Sequence, residues 1–74
     1  MQPYEPEERL VRLLLPRLER ISVDSYWAHR ASGVRGALVR MLAEMEMGSQ
    51  PDLLALHKSI GIGFEILKEA AEEY

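Results

Sequence analysis

The chain has no cysteine, which excludes disulfides, thiolate nucleophiles and zinc sites built on Cys. Long apolar runs are also missing. The longest stretch without a charged residue is Ser59 to Phe64, far short of the roughly 20 residues that cross a bilayer as a helix. No window alternates apolar and polar residues at period two, and no Asn-Gly or Asp-Gly pair separates β-branched runs, so a sheet is not expected. The opening Met1-Gln2-Pro3-Tyr4-Glu5 has neither the basic region nor the apolar core of a signal peptide. A cytoplasmic protein is the expectation.

What is present is a globular composition: 74 residues, 47% apolar and 28% charged, enough for a single domain over 1–74. The net charge of −3 is unevenly spread. Glu5, Glu7 and Glu8 open the chain. Residues 9–40 then carry seven arginines against Glu19 and Asp24, and residues 41–74 carry seven acids against Lys58 and Lys68. Either the segments pair inside one bundle, or the molecule has a basic side and an acidic side.

Three helical patterns account for the chain. The first is expected over about 5–21, with Pro6 in its first turn and the pairs Glu5–Arg9 and Glu8–Arg12 in the favourable i,i+4 order. Leu10, Leu14, Leu18 and Ile21 form its stripe, but Val11, Leu13 and Leu15 widen it past half the circumference, so this helix wants two neighbours or a second molecule. Pro16 removes a backbone donor and predicts a kink or a break.

The second helix is expected over about 24–47, capped by Ser22 or Asp24. Trp27, Ala31, Val34, Leu38, Met41 and Met45 keep one seam across Gly33 and Gly36, favouring a continuous helix over a break at Gly33. Gly48 then stops it. The third helix is expected over about 50–73, with Ser49 as cap and Asp52 in a capping-box position. Leu53, Leu56, Ile60, Gly63, Leu67, Ala70 and Tyr74 form its main seam, thickened by Phe64 and Ala71. A second apolar line runs through Ala55, Ser59, Ile62 and Ile66. The fold class is therefore all-α: an antiparallel up-down-up three-helix bundle, or four helices if Pro16 breaks the first.

Candidate chemistry is sparse. Neither His29 nor His57 has an imidazole or carboxylate one turn away on its own helix, so no local metal site is expected, and the ring of His57 should reach a backbone group or water. Gly-x-Ser-x-Gly is absent, Ser59 is two residues from His57 on another helical face, and Gly61-Ile62-Gly63 lies inside a helical pattern rather than between strand and helix. No catalytic group, cofactor or metal is expected.

Two readings remain. In the first, the chain is a non-enzymatic interaction or oligomerisation module. The second apolar line either touches another helix of the same bundle or supplies an interface anchored by Ile62 and Ile66, with Ser59 beside them. The small, outward strip of helix two, Ser32, Gly33, Gly36 and Ala43 bordered by His29 and Arg40, would allow close approach, with Arg30, Arg35 and Arg40 adding specificity. The partner would be another protein or a second copy, closing as a two-fold dimer, or running head-to-tail if basic side meets acidic side. The alternative is a small helix-turn-helix-like DNA-binding regulator using Arg30, Arg35 and Arg40 around a turn at Gly33. Against it stand the net acidity and the lack of Asn, Gln or Lys between Arg35 and Ala43.

Overall fold

The structure, a computed structural model, describes residues 5–21 and 26–72. Three helices follow one another: α1 Glu5–Glu19, α2 Tyr26–Glu46 and α3 Leu53–Glu72. They pack as a rod of 40 × 19 × 16 Å. The cross-helix contacts fix their directions. Arg12 of α1 meets Glu46 of α2 while Glu19 meets Arg35, so α2 runs back along α1. Glu7 meets His57, and Gly63 faces Leu14 and Leu18, so α3 runs parallel to α1.

α1 passes through Pro16 without a break, so there are three helices rather than four. Pro16 is exposed, and the turn it weakens is held by Val11, Leu14 and Leu18, all buried. The helix stops at Glu19 rather than Ile21, because Arg20 and Ile21 donate to the carbonyls of Arg17 and Leu18, three residues back, tightening the last turn. α2 is continuous through Gly33 and Gly36. Its expected caps, Ser22 and Asp24, lie outside the described residues.

The α2–α3 connection consists of a stop and a start. Gly48 has φ of 81°. Its N–H donates to Met45 O at 3.1 Å, and that of Ser49 to Glu44 O at 2.9 Å. This pair of bonds is a Schellman motif and requires the left-handed residue that glycine supplies. The cap of α3 is Asp52, not Ser49: its Oδ1 accepts from Leu54 N at 3.1 Å and Ala55 N at 3.3 Å. α3 therefore begins at Leu53. A carboxylate also offsets the positive helix end better than a hydroxyl does.

The core is Val11, Leu14, Leu18, Ala31, Leu38, Met45, Leu56, Ile60, Ile66 and Ala70. Trp27, Val34, Met41, Ile62 and Leu67 pack around it, half-buried. Among the described residues no polar or charged residue is buried as a whole. At Gly63 a Cβ would sit 3.2 Å from Leu14 Cδ1, so the missing side chain lets α1 and α3 approach closely.

Candidate functional site

The bundle has three inter-helical grooves, and each takes a different share of the charge. Across the α1–α2 groove Arg12 lies 3.5 Å from Glu46, and Arg35 lies 3.6 Å from Glu19. Arg12 also meets Glu8 at 3.0 Å, and that hydrogen bond, before all other causes, holds its pKa above the usual guanidinium value. An open cleft of about 360 Å³ lies in this groove, lined by Leu18, Glu19, Ile21, Ala28, Ser32 and Arg35.

The α2–α3 groove holds a cleft of about 290 Å³, lined by Trp27, Arg30, Ile62, Glu65, Ile66 and Glu69. Here the structure brings together three residues singled out from the sequence: Arg30, Ile62 and Ile66. Arg30 lies over the Trp27 ring, 5.5 Å from its centroid, and Glu65 and Glu69 line the same cleft from α3. Ile66, however, is 1% exposed and belongs to the core. It is no surface anchor, because the second apolar line of α3 is where α2 packs. Ile62 and Ser59 are half-buried along the same seam.

The remaining residues singled out on α2 do not join that cleft. Arg35 faces α1. His29, Gly36 and Arg40 point outward and are exposed, and a Cβ at Gly33 or Gly36 would meet nothing within 4 Å. Arg30, Arg35 and Arg40 are spaced by five residues, which turns each about 140° from the last. They splay around α2 instead of lining one edge, and the unbroken helix leaves no turn at Gly33. The turn at Gly33 that the helix-turn-helix alternative called for is therefore not formed.

The α1–α3 groove was not singled out from the sequence. Leu10 and Leu13, on the side of α1 turned away from α2, are 37% and 44% exposed, and Phe64 is 40% exposed. Register from the Gly63–Leu14 contact puts Leu13 near the level of Phe64 and Leu10 about a turn nearer the helix starts, with Ile60 buried and Leu67 half-buried behind them. The signal for this patch was the excess width of the first helical stripe. It could not be assigned a direction without knowing where α2 sits.

Charges flank the patch at both ends. At one end Glu5 accepts from Arg9 at 2.6 Å, and His57 Nε2 lies 3.2 Å from Glu7 Oε1. That contact, first among its causes, lowers the Glu7 pKa below the ordinary carboxylate value. The second oxygen, Oε2, is buried with no hydrogen-bond partner among the described residues. His57 thus reaches a carboxylate of another helix rather than the backbone group or water expected. At the other end Arg17, Arg20, Ile21, Leu67, Ala70 and Ala71 line a cleft of about 180 Å³, with Lys68 exposed close by on α3.

Among the described residues no group of three or more His, Asp or Glu side chains could share a metal ion. His57 faces α1, and Ser59, two residues on, is turned about 200° from it. No helix is long and apolar enough to cross a membrane among the described residues. Comparison with models of known protein families, with curated proteins and with solved structures finds no match.

Proposed function

We propose that the chain is a small helical protein-interaction module with no catalysis of its own, and that it binds through the α1–α3 side. One observation carries this reading. Leu10, Leu13 and Phe64 stand together half-exposed, in a chain otherwise able to bury ten apolar side chains in one core. Exposed large apolar groups scattered singly are ordinary, whereas a cluster flanked by charge is the usual anatomy of a docking surface. The other exposed large apolar residues among those described are Tyr26, Val39 and Met47 on or just after α2 and Leu53 and Leu54 at the start of α3.

Position-specific photocrosslinking in the native cell tests the proposal. A benzophenone side chain in place of Leu13 is expected to give a discrete protein adduct that is lost when Phe64→Asp is added. The same group in place of Arg40, on the outer face of α2, should give none. Adducts from position 40 alone, or from neither position, would overturn the α1–α3 assignment.

A further inference from the structure

The three grooves differ in how their charges are matched, and the difference identifies an occupant. The α1–α2 groove is bridged by Arg12–Glu46 and Arg35–Glu19. In the α2–α3 groove Arg30 lies over Trp27 and lines one cleft with two carboxylates, Glu65 and Glu69, without an ion pair to either. The α1–α3 groove lacks this balance. Its first end is matched, with Glu5 on Arg9 and Glu7 on His57. Its other end carries Arg17, Arg20 and Lys68, none of which makes an ion pair among the described residues. Arg17 spends one guanidinium N–H on its own helix, donating to Leu13 O at 3.1 Å. Glu72 follows Lys68 by one turn, about 40° further round α3, and makes no ion pair with it.

Resting on the reading above, we infer that the α1–α3 groove takes an acidic amphipathic helix of another protein. Its apolar stripe covers Leu10, Leu13 and Phe64, and its carboxylates meet Arg17, Arg20 and Lys68. A trough between two parallel helices suits a helix laid lengthwise, completing a fourth position of the bundle. The three apolar residues are exposed enough to be covered by such a helix. Charge complementarity sets the sign of the partner.

A second copy of this chain fits less well. A two-fold contact through this face brings the cationic end of one copy onto the matched end of the other, where the carboxylates are already held by Arg9 and His57. An anionic membrane would match the cations, but only one end of this face is basic, the other end being matched by Glu5–Arg9 and Glu7–His57.

The test uses the full chain and two designed amphipathic peptides of about 20 residues. They share one leucine stripe; glutamates flank it in the first and lysines in the second. Nuclear magnetic resonance titration with the glutamate peptide should move the amides of Leu10, Leu13, Phe64 and Lys68 and leave those of Gly36 and Arg40 in place. Combining Arg17→Glu, Arg20→Glu and Lys68→Glu, all surface changes, should weaken that peptide by about tenfold or more and improve the lysine peptide. Circular dichroism checks that this variant is folded, and Leu13→Asp provides an independent loss of binding.

Equal binding of both peptides at these residues would overturn the acidic partner and leave the binding surface standing. Binding of neither peptide would overturn this inference, with the crosslink from position 13 reporting separately on the surface. A concentration-dependent dimer dispersed by Leu13→Asp, or the same amide shifts produced by vesicles of anionic phospholipid, would replace the helix by a second copy or a membrane.

Discussion

His57 and Glu7 are fifty residues apart in the chain and 3.2 Å apart in the fold. The Glu7 pKa is lowered by this contact, so the folded state binds its proton less readily than the unfolded chain does. The stabilisation is therefore fully present above the ordinary carboxylate range and lost as pH falls through the depressed folded value. Urea midpoints measured between about pH 3 and 7 should show wild type above Glu7→Gln near neutrality, with the two converging in acid. A constant gap across that range would show that the pair contributes nothing through titration. Nothing local to His57 announces this partner, because the nearest residues on its own helix face are apolar. The contact depends on α1 and α3 running parallel in one register, which local spacing does not reveal. The same limit applies to Ile66, whose spacing in a second apolar line fits an inner neighbour as well as an outer one.

Helix ends were more legible, since they depend on residues within a turn of one another. Gly48 could be placed from its position after the Met45 seam, and it adopts the positive φ that such a stop needs. The start of α3 was harder, because Ser49 and Asp52 are both competent caps. The carboxylate takes the role, with two amides on one oxygen, while Ser49 N is committed to the stop of α2. Asp52→Ala should thus cost about 1 kcal/mol and Ser49→Ala a few tenths at most, read by chemical denaturation. A larger loss at Ser49 would move the cap back to it. Pro16 shows why an element can outlast a local breaker: three buried residues on α1 hold the helix across the missing bond. α2 likewise spans Gly33 and Gly36 because six in-phase apolar positions are anchored on its neighbours.

A bundle of 74 residues has little stability to spare. Leu38 and Leu56 are fully buried at its centre, so Leu38→Ala should cost roughly 2–5 kcal/mol. That would lower the melting temperature by about 10 °C or more. Leu54→Ala, at an 81% exposed site, should stay within about 0.5 kcal/mol of wild type. Equal losses at the two positions would contradict this placement of the core. Fold class, helix number and most of the seam were legible at this scale, because periodicity alone determines them. The proposed docking face was not, because it depends on which side of a too-wide helix is left over once the others have packed. The parallel course of α1 and α3 has one more consequence. Their dipoles add, so the trough between them has a direction: positive where both helices begin, negative where both end. Arg17, Arg20 and Lys68 stand toward the negative end. A helix entering antiparallel to both walls opposes their dipoles and starts beside those cations. Glutamates in its first turn would then face its own positive end and the three basic side chains together, so the proposed site would select the orientation of a bound helix as well as its charge.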